Sequence, residues 1–320
     1  MIDHSVSAAG IEGVESVMRD ELARGDAMAE SVLPILRHLI AAEDSSVFSD
    51  EILARVRGVL SDLASALLDA LAAAGGDADK GRSRPEELAV LTEAFVDNPQ
   101  LLTHVHALAL EWQLTEKLQA RLALDPVVSP LLQTMIASAE PATQALAMTF
   151  LASQARWCQA QRRMRLPLAE LPGDLFHAVL MTVRTLAGES GEVAQQVLMA
   201  ETQLRQGYDE SANRLGLAAR LMLNLGGGAH SALSVSHAGV ALFLTALALG
   251  SGQARDTVVL STHEAQLARL ALALRAAGLK PAAIEQQFLT LHPDVVLPPG
   301  FERIGPDGAA ALLSAGRYAG

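Results

Sequence analysis

Four arginines, Arg156, Arg162, Arg163 and Arg165, fall within ten residues in the stretch ARWCQAQRRMRLPLAELPGD. Each guanidinium offers a planar fork of donors that fits a carboxylate or a phosphate. The cluster is therefore the candidate site for a small anion, a nucleotide, a phosphorylated peptide or an acidic partner helix. The same spacing also has a purely local reading. The arginines close the helix that starts at Pro141, where cations offset the negative end of the macrodipole. Glu170 and Asp174, at the start of the next helix, are placed to pair with them.

The other chemistry-bearing residues are more scattered. His104 and His106 would share a face on a strand, but on a helix they diverge by about 200°. Their segment reads helical, so one is expected to face the core and the other solvent. Neither has a Cys or a carboxylate four residues on, and His104 to Glu111 spans about 10 Å of helical rise, so no metal site is expected. His230, His237 and the pair His263 and Glu264 are the candidates for a general base. Nothing in the chain completes such a site. There is no GxSxG elbow, no HExxH, no P-loop and no dinucleotide fingerprint, and GGGAHS at 226–231 lacks the lysine of a phosphate loop. No cofactor is implied, and no complete catalytic set. Cys158, beside Trp157, reads as a small buried side chain unless the nearby arginines lower its pKa enough for redox sensing. Tyr208, Asp209, Glu210 and Asn213 gather at a helix entrance after Gly207, where acids suit the positive end of the dipole.

The elements that position these residues follow from composition. Half of the 320 residues are apolar and only 3% are aromatic, a helix-former's mixture that argues against a sandwich, a barrel or a doubly wound sheet. The fold class expected is all-α: a multi-helix bundle, or an irregular, solenoid-like helical-repeat body, with a separate N-terminal helical module. Two short helical segments are expected between Glu12 and Glu43, with Pro34 tolerable only within a first turn. Ser49 is the expected N-cap of a third helix. In it Ile52, Val56, Val59, Leu60, Leu63, Leu67 and Leu71 recur at three and four, a stripe that must either fold back on the body or meet a second copy. Residues 75–84 read as a linker, which makes 1–74 an acidic N-terminal module able to form a homodimer.

The main body is expected over 85–296. Ser83, Pro85 and Glu86 form the pattern of a capping box, and comparable starts recur at Asp125 and Pro126, Glu140 and Pro141, Leu171 and Pro172, and Lys280 and Pro281. These starts share no common interval, so any repeat is degenerate. Gly226, Gly227 and Gly228 read as a helix stop. Residues 297–320, rich in Pro and Gly, are expected to lie across the body as a loose strap.

Net charge is −12 and uneven: residues 1–75 hold 13 acidic and 5 basic side chains, residues 151–320 hold 13 and 14. Such a chain repels a polyanion, so nucleic-acid binding is not expected. The apolar run at 238–249 is too short for a membrane span, which needs about 20 residues, and reads as a buried core helix. One cysteine allows no internal disulfide, and the first residues lack the pattern of a secretory signal. Arginine far outnumbers lysine, which occurs only at 80, 117 and 280, a bias of GC-rich bacterial genomes. The expectation is a non-enzymatic helical scaffold or regulatory protein with a protein partner, in a bacterial cytoplasm. The alternative is a small-anion or nucleotide sensor, or an enzyme, that uses the arginine cluster and a histidine of the C-terminal half.

Overall fold

The structure, a computed structural model, describes residues 4–41, 51–75, 85–188 and 191–316. Among them there is no strand, and the chain is all-α. Its helices, in order, are α1 (His4–Ala41), α2 (Glu51–Ala74), α3 (Pro85–Val96), α4 (Pro99–Leu122), α5 (Pro130–Ile136), α6 (Pro141–Gln161), α7 (Gly173–Ala187), α8 (Glu192–Gly207), α9 (Arg214–Leu225), α10 (Val235–Ser251), α11 (Arg255–Ser261), α12 (Leu267–Ala276), α13 (Pro281–Leu291) and α14 (Pro306–Ala315). Short 3-10 turns join several of them.

Proline marks the entrances. Besides Pro85, Pro141 and Pro281, the first residues of α4, α5 and α14 are prolines, at a position where the missing N–H has no carbonyl waiting for it. Pro172 is the N-cap of α7. Asp125 and Pro126 do not open a helix: Asp125 Oδ1 accepts the N–H groups of Val127 and Val128 at 2.7 and 2.8 Å, making a turn. The helix opens instead at Pro130, where Ser129 Oγ accepts the Leu132 N–H at 3.2 Å. The caps expected at Ser49 and Ser83, and residues 76–84 of the linker, lie outside the described residues.

At the N-terminus a single helix replaces the two expected short ones and carries Pro34 in its interior. The missing N–H toward the Glu30 carbonyl is a local loss. It is offset by apolar side chains buried on both sides of it, Val14, Met18 and Leu22 before and Leu36 and Ile40 after.

Contacts divide the chain into two compact units. One comprises the described residues of Met1–Val32, Leu110–Leu151 and Ala218–Gly320; the other comprises those of Leu33–Ala109 and Ala152–Leu217. Residues 1–74 are shared between the two units, and so are residues 85–296.

In the first unit α10 is the core, with Leu242, Phe243, Leu244 and Leu247 buried and α5, α11, α12 and α13 packed around it. Gly239 interrupts α10 at φ +73°, a conformation that favours glycine. A Cβ there would also sit 3.1 Å from that of Ser129. Among the described residues no single helix is long and apolar enough to cross a membrane; α10 and α11 reach that length only together, bent by 112°. The expected strap is an ordered element: Phe301 and Ile304 are buried, and α14 packs on α12 through Ala309, Leu312 and Leu313. Residues 317–320 lie outside the described residues.

The same unit closes on two buried ion pairs. Arg255 makes a bidentate pair with Glu111, both bonds 2.9 Å. Arg269 binds Asp26 and donates to Gln253 Oε1 at 3.1 Å. Beside the second pair, Gln266 donates to the Gly25 carbonyl. The backbones approach so closely there that a Cβ on Gly25 would meet the Ala265 carbonyl oxygen at 2.9 Å.

The second unit is built on α2. Its expected stripe is buried from Ile52 to Leu67 and half-buried at Leu71, against α3 and α8; α7 packs on both of these. The stripe therefore folds back on its own chain. Arg55, also buried, donates to the Gln161 carbonyl at 2.6 Å and ties α2 to the end of α6.

Candidate functional site

The candidate site is a pocket of about 410 Å³ in the second unit, lined by Arg156, Trp157 and Ala160 of α6, by Pro167, Ala169 and Glu170, and by Gly207, Asp209, Ala212 and Asn213. Three chain segments meet there, and local chemistry shapes each. α6 ends at Gln161 and the chain reverses through Met164 at φ +53°, with the Arg165 N–H returning to the Ala160 carbonyl at 3.0 Å. Pro167 and Pro172 then bracket one 3-10 turn at Leu168–Glu170, which hangs between the buried anchors Leu166 and Leu171. At the far wall α8 stops at Gly207, Asp209 Oδ1 caps a short turn by accepting from Ser211 N and Oγ, and Asn213 caps α9 by accepting the Gly216 N–H at 2.7 Å.

Side-chain contacts lock these segments together. The Tyr208 ring stacks on Phe176 with centroids 4.1 Å apart, and its hydroxyl donates to the Leu171 carbonyl at 2.8 Å. Glu170 Oε2 accepts the backbone N–H of Arg214 at 2.9 Å. The buried guanidinium of Arg214 lies 3.9 Å from the centroid of the Trp157 ring, a cation–π contact that fixes the aromatic floor. Burial first, and then the carboxylates of Glu210, Asp174 and Asp209, push the Tyr208 hydroxyl up to about 12. It stays protonated and keeps donating at neutral pH.

The charged groups of the lining are incompletely engaged. Arg156 is exposed and makes no hydrogen bond or ion pair among the described residues. Glu170 uses one oxygen, on Arg214 N, and Asp209 uses one, on Ser211. Its apolar part is Trp157 with Ala160, Pro167, Ala169 and Ala212. This arrangement suits holding a ligand with an apolar body and polar ends. It lacks a nucleophile with an adjacent base, and no histidine lines it.

No family model, curated protein or solved structure matches the chain.

Of the four clustered arginines, only Arg156 lines the pocket. Arg162 and Arg163 are exposed on the turn after α6, and Arg165, 61% exposed, stands 3.5 Å from Asp62. Burial raises the Asp62 carboxyl, while the Leu166 N–H and Arg165 act the other way. The acids expected to pair with the cluster accept backbone N–H groups instead: Glu170 from Arg214 at 2.9 Å and Asp174 from Leu175 at 2.9 Å. The arginines disperse because one sits on a helix and three on a reversing turn.

The histidines stand apart from this pocket. His104 is buried and His106 half-buried on α4, as their spacing implies. His230 and His263 are exposed and His237 half-buried; His263 Nδ1 accepts the Ala265 N–H at 3.3 Å as a cap. Among the described residues no three His, Cys, Asp or Glu side chains gather as metal ligands. Cys158 is buried, with Gln154 Nε2 3.7 Å from its sulfur. Sequence reasoning missed the stacking role of Arg214 and the place of Glu170, Asp209 and Asn213 in one wall. Asp209 and Asn213 were legible as caps; nothing in their spacing points across to Trp157.

Proposed function

We propose that this chain is a non-enzymatic protein-interaction protein whose second unit receives a segment of a protein partner beside Trp157. The observation that carries this reading is the pocket lining: a fixed aromatic floor and apolar walls ringed by three charged groups with unused hydrogen-bonding capacity. Anchor side chains of a bound segment seat in pockets of this kind, apolar in body and polar at the rim. A nucleotide or other polyanion is less well matched, because Glu170 and Asp209 would face its negative charge and only Arg156 would oppose it. The absence of a histidine from the lining also speaks against an enzyme built from the arginine cluster and a C-terminal-half histidine. A bacterial cytoplasm is the proposed setting, on the sequence grounds of arginine usage and a single cysteine.

The test fills the pocket. Ala212 is exposed and lines it, so Ala212→Trp adds bulk there without disturbing the core. Wild type should retain a protein from an extract of the source organism that Ala212→Trp, at unchanged melting temperature, does not. Equal retention by both proteins would overturn the reading.

A further inference from the structure

We propose that the occupant of this pocket is a basic side chain, lysine or arginine, presented by the partner segment to the wall formed by Glu170 and Asp209; the inference rests on the protein-segment reading above. The two carboxylates come from separate segments, the 3-10 turn before α7 and the turn after α8, and both line the one pocket. Each has one oxygen committed to a backbone or side-chain donor of this chain and one with no partner among the described residues. The committed oxygens hold the carboxylates in place, and the free ones remain to accept from a ligand.

The surroundings reinforce the negative sign of that wall. Glu210 and Asp174 act on Tyr208, the chain neighbour of Asp209, together with Asp209. Against them, among the described residues that line the pocket, stands one cation without a partner, Arg156, on α6. A lysine or arginine side chain matches this in two ways. Its alkyl stem covers the exposed Ala169 and Ala212, while its charged head reaches the carboxylates. Arg156 is then left to take a main-chain carbonyl or an acidic neighbour in the same segment. Charge complementarity of this kind sets which segment binds more than how tightly.

The experiment uses the full chain and capped heptapeptides that differ only at the central residue, arginine, lysine, leucine or glutamate, followed by calorimetry and tryptophan fluorescence. Arginine and lysine peptides should bind about tenfold more tightly than the leucine peptide, as two partly exposed ion pairs supply, and the preference should shrink as salt is raised. The double variant Glu170→Gln with Asp209→Asn keeps both capping acceptors and removes both charges. It should erase the preference at unchanged melting temperature. Preference for glutamate, preference for leucine, no binding by any peptide at millimolar concentration, or a basic preference that survives the double variant would each overturn the proposal. If the basic preference fails while Ala212→Trp still loses the partner from extract, the protein-segment reading stands and only the chemistry of the occupant is wrong. If neither behaves as expected, both fall.

Discussion

The buried ion pairs of the first unit and the pocket of the second use charge in opposite ways. In the first, arginine and carboxylate meet inside: Arg269 and Asp26 are 2% and 1% exposed, and the Arg255 fork closes on a fully buried Glu111. Burial alone would pull the Arg255 pKa down, but the Glu111 carboxylate and Asp256 together outweigh it, so the guanidinium is held above its ordinary value. In the second unit Arg156, Glu170 and Asp209 line an open pocket with capacity to spare. Buried charges must find partners within the chain because desolvation is severe. Charges at a wet rim are free to wait for another molecule. A buried, satisfied ion pair thus marks structure, and a fixed but unsatisfied group marks a place to bind.

Four measurements break or sharpen that comparison. The largest effect is expected at Asp26→Ala, which strips a buried guanidinium of its carboxylate and should lower unfolding stability by about 3–5 kcal/mol in urea titration. Glu111→Gln should come next, at about 2–4 kcal/mol, since an amide can meet the Arg255 fork at one oxygen only. If either variant is as stable as wild type, charge in the first unit is not structural and the contrast collapses.

Tyr208→Phe removes the hydroxyl donated to the Leu171 carbonyl and should cost about 1 kcal/mol at neutral pH. Here the folded pKa, about 12, lies above the ordinary tyrosine value. The stability that depends on the protonated hydroxyl is therefore fully present below about pH 10. It declines as pH rises from there through 12. A stability profile across that range should fall less steeply for the phenylalanine variant; identical slopes would show that the hydroxyl is not the titrating support of the pocket. The smallest effect is expected at Arg156→Ala, within about 0.5 kcal/mol of wild type by thermal melting, because that side chain has no partner among the described residues. A large loss there would mean that the pocket rim, too, is part of the fold.

Legibility followed sequence distance. The α2 stripe could be read residue by residue, because spacings of three and four are consequences of the helix itself. The burial of α10 was legible from twelve uncharged residues too short to span a bilayer. Helix entrances were legible at Pro85, Pro141 and Pro281, but not at Pro126, where the Asp125 side chain captures two N–H groups and makes a turn. The arginine cluster shows the limit most plainly. Nearness in sequence suggested one site, yet the reversal at Met164 sends Arg162, Arg163 and Arg165 away from Arg156.

Composition and periodicity by themselves determined that this chain is helical and that the α2 stripe and the α10 run are buried. These follow from backbone propensity and from apolar side chains repeating with the helical turn, interactions that act within a few residues. Tertiary structure alone decided which charges are spent inside and which are left at a pocket. Arg255 finds Glu111 across 144 residues and Arg269 finds Asp26 across 243, and Asp209 joins Glu170 in one wall only once α6, α7 and α8 have packed. Such pairings depend on where helices cross, which is set by the fit of whole apolar faces and leaves no mark in local spacing.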